Sequence, residues 1–308
     1  MVTTPRSTEL AADGRFHRQP NHFDARITAD GSSGWPVEPG RYRLVVSLAC
    51  PWAHRSVIVR RLLGLEDAIS LAVVDPIRDD RGWRFTLDEG GVDPVLDIGF
   101  LSEAYAATDP DYERRVTVPT IVDTRTGHVV TNDYPQITLD LSTEWRAHHR
   151  ADAPELYPEH LREEIDAVNE GVFTDVNNGV YRTGFAMSQA AYEESYTALF
   201  ARLDQLDARL AERRFLVGEQ LTEADVRLFT TLVRFDAVYH GHFKCNRQKL
   251  GEFEHLWPYA QRLFATPGIG DTVDFDHIQR HYYGTHPRVN PTRIVPLGPD
   301  RGRWPPAS

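Results

Sequence analysis

The stretch Ser47-Leu48-Ala49-Cys50-Pro51-Trp52-Ala53-His54-Arg55 decides how the first half of the chain is read. An apolar run from Tyr42 to Leu48 leads into it and reads as a buried strand. After Pro51 the apolar residues fall at helical spacing, with Val57, Ile58, Leu62 and Leu63 on one side. Proline suits a first helical turn, because its missing N–H would have no partner there. Cys50 therefore stands where a strand hands over to a helix, at the positive end of the helix dipole, a place that favours thiolate over thiol. His54 and Arg55, one turn on, add positive charge. A small buried residue that merely ends a strand would satisfy the same pattern without chemistry; the order strand, Cys, Pro, helix favours the reactive thiolate.

Working outward, 308 residues suggest two domains, and 41% hydrophobic with 26% charged residues is the balance of an ordinary soluble protein. A net charge of −11 and the absence of a basic run argue against a nucleic-acid surface. Cys50 and Cys245 are the two cysteines, far apart, so neither a disulfide framework nor a zinc pattern is present. The 13 histidines include His148-His149 and His240-Gly241-His242, without carboxylates or cysteines at ligand spacing, so no metal is expected. No basic-then-apolar leader and no run of membrane-spanning length is seen, which points to a cytoplasmic location without membrane association. Lysine occurs only at 244 and 249, leaving 32 of the 34 basic residues as arginine, a bias that suggests a GC-rich genome.

Residues 1–40 read as an irregular arm, pinned by Phe16, Phe23 and Trp35. Residues 41–145 form the first domain: strand, helix, a second strand at 69–74, a turn-rich insertion over 75–97, and a short helix at 100–107. A strand over 116–123, interrupted by Pro119, then turns at Thr126-Gly127 into an antiparallel partner at 128–131. Asn132-Asp133 can cap a helix over 134–141. A charged, proline-containing linker spans 146–158. Residues 159–285 are all-helical, with helices over 159–174, 189–210, 222–240 and 256–265 and a short piece near His277, and 286–308 are a tail. Leu199, Phe200, Leu203, Leu206 and Leu210 are spaced as a core stripe, and Thr222 with Asp225 three residues on is a capping signature.

The strand–helix–strand–helix–strand–strand–helix order resembles the thioredoxin-like α/β layout, in which a proline at the start of the third strand is commonly cis. A cis bond at Pro119 would turn the Val118 backbone outward to pair with an extended, peptide-like ligand; an ordinary trans edge-strand proline is the alternative. A thioredoxin-like domain followed by an all-α domain is the glutathione transferase architecture. The chain resembles the glutathionyl-hydroquinone reductases, the cysteine-type transferases of the xi class. The resemblance is carried by Gly40-Arg41-Tyr42, Ser47 through Arg55, Gly82-Trp83-Arg84-Phe85, Arg115-Val116-Thr117-Val118-Pro119, Asn177-Asn178-Gly179-Val180-Tyr181 and Gly184-Phe185-Ala186. It continues through Thr222 to Thr231, Phe243-Lys244-Cys245-Asn246, His281-Tyr282-Tyr283, Asn290-Pro291-Thr292 and Ile294-Val295-Pro296, nearly the whole chain.

The resemblance implies a two-step thiol exchange: Cys50 takes the sulfur of a glutathionyl-hydroquinone as a mixed disulfide, and a second glutathione resolves it. Cys50-Pro51-Trp52-Ala53 lacks a second cysteine, which suits a monothiol mechanism with an external reductant. Cys245 is expected to be a buried structural residue. By the same resemblance Tyr181 and Tyr283 are catalytic tyrosines near the aromatic substrate, Tyr282 is a further aromatic-site candidate, and Trp83, Arg115, Val118, Pro119 and Asp133 hold the thiol. Read as bare residues, such tyrosines are packing groups with satisfied hydroxyls. The resemblance also implies a homodimer with no bound cofactor, using glutathione as co-substrate.

Two departures stand out. The family's usual Asn-Glu-Ser is here Asn132-Asp133-Tyr134, followed by Pro135, so a ring replaces a small hydroxyl where the γ-glutamyl end of glutathione would sit. Either the pocket tolerates this, or the thiol is another one, such as mycothiol. Arg293 stands where the family usually has glycine. A conjugating transferase, and a non-catalytic thiol-binding member of the fold, are the other function classes; a cysteine at position 50 favours exchange over conjugation because it forms a mixed disulfide.

Overall fold

The computed structural model describes residues 9–306, and these form two compact units. Residues 20–154 make the first; residues 155–306, together with residues 9–19, make the second. The arm expected as one segment is thus divided: Phe23 packs on Tyr105 and Tyr112 of the first unit, whereas Phe16 is buried against Phe185 of the second.

The first unit is built on a four-stranded sheet in the order β2-β1-β3-β4. β1 (Tyr42–Val46) pairs parallel with β2 (Ile69–Val73) and antiparallel with β3 (Thr120–Asp123), which pairs antiparallel with β4 (Val129–Thr131). All five residues of β1 are buried, as a central strand requires. α1 (Pro51–Leu63) makes the crossover from β1 to β2 and ends on Gly64, whose φ of 71° closes the helix by returning its N–H to Arg60 and Arg61. α2 (Leu101–Thr108) and α3 (Tyr134–Thr143) complete the unit. The turn-rich insertion is tied to the sheet by the buried Arg43–Asp93 pair, with N–O distances of 2.6 and 2.9 Å.

β3 is shorter than the sequence pattern suggests. Pro119 has no N–H for the ladder, and the Thr117 carbonyl is taken by the hydroxyls of Tyr105 at 3.0 Å and Thr120 at 2.7 Å. The expected side-chain cap of α3 is also absent. Asp133 occupies the cap position but accepts from Asn21 Nδ2 at 2.8 Å, while the Asn132 amide donates to Thr117 Oγ1 and its oxygen accepts from the Phe23 N–H.

The second unit is helical. α4 (Arg162–Gly171) runs on through a widened turn, where the Asn178 N–H reaches back five residues to Phe173, into α5 (Gly179–Gly184), an element the sequence pattern did not separate. α6 (Gln189–Leu210) is capped by Ser188 and buries Leu199, Phe200, Leu203, Leu206 and Leu210 as one stripe. α7 (Glu223–Arg234) starts on Thr222 and Asp225. It also ends in a widened turn, with the His240 N–H bonded to the Phe235 carbonyl at 2.8 Å. α8 (Leu256–Phe264) and α9 (Phe275–Thr285) follow, α9 capped by Asp274. In the tail, Arg293 has a φ of 57°, the left-handed region that favours glycine, which accounts for the residue the resemblance leads one to expect there.

Candidate active site

Cys50 caps α1 with extended backbone (φ −79°, ψ 120°), and Pro51 opens the helix. Its side chain is half-buried, and Sγ lies 3.4 Å from the Val118 carbonyl, to which the thiol donates. The Val118–Pro119 bond is cis. Strand order explains the meeting: β1 and β3 are neighbours, so the end of β1 and the start of β3 arrive together. Cys50, Val118 and Pro119 are thus one site in the first unit.

His54 and Arg55, one turn on from the thiol, are buried within α1. The Arg55 guanidinium lies 4.7 Å over the ring of Trp52, and Tyr134 packs on the same ring, with centroids 4.7 Å apart. Tyr134, the residue that departs from the family pattern, therefore packs at a tilt on a ring of α1. Asp133 is half-buried beside it, held by Asn21. Trp83 is buried, its carbonyl accepting from the Leu101 N–H and its ring lying 5.0 Å from the Arg78 guanidinium. Arg115 is half-buried on the loop before β3, where its carbonyl accepts from the Tyr112 hydroxyl at 2.9 Å.

The second unit gathers tyrosines. The Tyr181 hydroxyl, on α5, lies 2.5 Å from that of Tyr282 on α9, which lies 2.9 Å from that of Tyr239 in the widened turn after α7. Burial holds the phenols of Tyr239 and Tyr282 well above their ordinary range, so both remain protonated donors. Tyr283 is half-buried, with its ring against His242 at 4.7 Å. The hydroxyl that meets Tyr181 is therefore that of Tyr282. Phe243 sits 5.5–5.7 Å from the rings of Tyr181, Tyr239 and Tyr282. A Cβ at Gly184 would come within 2.2 Å of Phe243, so only glycine allows this packing. The Arg18 guanidinium lies 4.6 Å over the Tyr181 ring, with its Nε bonded to Asn178.

Cys245 is buried, and burial pushes its thiol up, so it is a packed thiol rather than a nucleophile. Among the described residues, no group of three His, Cys, Asp or Glu is arranged to hold a metal, and no helix is long and apolar enough to cross a membrane.

The chain is similar to known proteins in sequence and fold. Residues 49–144 match the glutathione S-transferase N-terminal domain family, and residues 189–282 match its C-terminal domain. Glutathionyl-hydroquinone reductase YqjG of Escherichia coli is 42% identical over 294 residues, 93% of this chain and 89% of the relative. The chain belongs to the glutathionyl-hydroquinone reductase family. Among solved structures, the glutathione-S-transferase Xi of Phanerochaete chrysosporium superposes with a TM-score of 0.92 at 41% identity, covering 97% of both chains. A glutathione transferase from Gordonia bronchialis gives 0.91 at 61% identity, covering 92% of this chain and 89% of that one. YqjG, solved with glutathione bound, gives 0.87, covering 96% of both. The α/β and all-α division is thus that of the glutathione transferases, and this member of the reductase family is an enzyme of the reductase and thiol-transferase type.

Proposed function

We propose that this protein removes glutathione from glutathionyl-hydroquinones through a mixed disulfide on Cys50. The observation that carries the reading is a half-buried thiol at the start of α1, 3.4 Å from the carbonyl before a cis-proline, with no second cysteine in its turn. The Cys50 thiolate attacks the sulfur of the conjugate. The new bond is sulfur to sulfur, the sulfur–aryl bond breaks, and the ring carbon leaves with the electron pair and takes a proton, giving the hydroquinone. A second glutathione thiolate then attacks the mixed disulfide, releasing glutathione disulfide and restoring Cys50.

An aryl carbon is a poor leaving group unless its charge is spread onto the ring oxygens and met there by donors. Tyr181 and Tyr282 are the donor pair this chemistry needs, with Tyr283 on the adjoining position of α9. The backbone of Val118 beside Pro119, together with Trp83, Arg115 and Asp133, holds the thiol, Arg115 through a carboxylate. The protein works as a cytoplasmic homodimer without a bound cofactor.

A second thiol has one observation in its favour. Tyr134 packs its ring on Trp52 at the first turn of α3, where the family carries a small hydroxyl. Mycothiol is therefore the alternative co-substrate. The deciding experiment measures hydroquinone release from matched glutathionyl- and mycothiyl-hydroquinones, each with its own thiol, beside Cys50→Ser. Release with glutathione that disappears in the variant is expected. Turnover confined to mycothiol would keep the chemistry and change the thiol; release that survives loss of Cys50 would refute the mixed disulfide.

A further inference from the structure

Asp133 occupies the cap position of α3 without capping it. A cap side chain draws on the N–H groups of the second and third helical residues. The second here is Pro135, which has no N–H, and the third, Gln136, donates to the Asp133 carbonyl at 3.0 Å. The carboxylate turns instead to the arm, where the Asn21 amide donates to its Oδ1 at 2.8 Å. That bond is not what fastens the arm. The His22 and Phe23 N–H groups donate to Asn132 Oδ1 at 3.2 and 3.0 Å, and the Phe23 carbonyl accepts from the Asn132 N–H at 2.9 Å. The Phe23 ring packs on Tyr105 and Tyr112.

The residues on either side tie Asp133 to the thiol site. Asn132 donates its amide to Thr117 Oγ1 at 3.0 Å, and Thr117 directly precedes the Val118–Pro119 pair that meets Cys50. Tyr134 packs on Trp52, in the turn that follows Cys50. On the function proposed above, the half-buried Asp133 carboxylate takes the ammonium of the γ-glutamyl end while the sulfur lies at Cys50. A side chain held in one rotamer before binding spares the ligand the cost of ordering it.

We propose that Asn21 is a positioning residue for the thiol: its amide holds the Asp133 carboxylate in the orientation that meets the γ-glutamyl ammonium. This rests on the glutathione-releasing function proposed for the site. With alanine at 21 the carboxylate loses this tether, and ordering it falls on the incoming conjugate. The chemistry at sulfur is untouched, because neither Cys50 nor the donors to the ring oxygens change.

The test measures hydroquinone release by the full chain from glutathionyl-hydroquinone and from its cysteinylglycine analogue, which lacks the γ-glutamyl group, with glutathione as reductant in both. Asn21→Ala is expected to lower kcat/KM for the glutathionyl conjugate about tenfold, the scale of one charged hydrogen bond, with kcat and the analogue within about twofold. Asn21→Asp, equal in shape but lacking the donor, is expected to fall at least as far. In an Asp133→Ala background the Asn21→Ala loss is expected to vanish, because the two residues act through one contact. Unchanged kcat/KM, an equal fall with both conjugates, or an undiminished loss in the Asp133→Ala background would overturn the proposal; the equal fall would show that Asn21 merely supports the fold. Wild-type release at equal kcat/KM from both conjugates would overturn it too, by removing Asp133 from the γ-glutamyl end while leaving the function standing. Wild-type protein that releases hydroquinone from neither would remove the functional reading, and this inference with it.

Discussion

Replacing Asp225 with alanine should strongly destabilise the helical unit. Asp225 is fully buried at the start of α7 and accepts four hydrogen bonds: from the Leu216 N–H at 2.9 Å, the Tyr259 hydroxyl at 2.8 Å, and the Thr222 N–H and hydroxyl at 2.8 and 3.0 Å. Leu216, Thr222 and Tyr259 are themselves fully buried, so water cannot take over. The two hydroxyls can rotate to new partners, but the two backbone N–H groups cannot, and each orphaned donor costs about 1–3 kcal/mol. Against this stands relief of a buried carboxyl, which burial holds above its ordinary value despite its four donors. The net expectation is a loss of about 3–4 kcal/mol, or about 10 °C in Tm. Urea denaturation followed by circular dichroism measures it, with Asp225→Asn expected to lose about half as much because one oxygen remains. A loss below about 1 kcal/mol for alanine would refute the accounting, since it would mean the two N–H groups find partners that the fold does not show.

Two further outcomes follow from burial. Burial pushes the Cys245 thiol up, so iodoacetamide should label Cys50 alone in native protein at about pH 8 and both cysteines in urea, read by peptide mass spectrometry; native labelling of Cys245 would contradict its packing. His242, hydrogen-bonded to His286 at 3.1 Å, is pushed down to about 4, chiefly by burial and then by Lys244. The unfolded chain binds this proton near pH 6.5, so stability should fall as pH drops from about 6.5 toward 4, by up to about 3 kcal/mol, and His242→Asn should flatten that slope in urea titrations; an unchanged slope would rule His242 out as the cause.

The residues differ in how openly they state their roles. β1, α1 and the hairpin were legible because their signals are local: an apolar run, a proline in a first turn, and Thr126-Gly127 with Gly127 at a φ of 72°. The two-domain architecture was legible because strands alternate with helices up to about residue 145 and only helical stretches follow. α5 was not, because Asn177-Asn178-Gly179 looks like a break and only the widened turn carries the chain through it. Asp133 looked like a helix cap, and its oxygen is spent on Asn21, a contact 112 residues away that no local pattern encodes. Tyr239 carried no signal at all. In an apolar helical run a tyrosine reads as core, and its hydroxyl contact depends on a one-residue shift of helical phase and on Tyr282 of α9.

The division of the chain has a consequence for the chemistry proposed. The sulfur-handling groups, Cys50, Val118 and Pro119, are fixed by contacts within residues 20–154, and the hydroxyl chain is fixed by contacts within the helical unit. The two half-reactions draw on these sets unequally. Both need the thiolate, because Cys50 attacks in the first and is released in the second. Only the first expels an aryl carbon, and so only the first needs a donor to a ring oxygen. Substitutions around Cys50 should therefore depress both steps together, whereas substitutions along Tyr181, Tyr282 and Tyr239 should slow hydroquinone release and leave resolution by the second thiol untouched. On the proposed function, a protein that merely used glutathione for disulfide exchange would have no use for the second set.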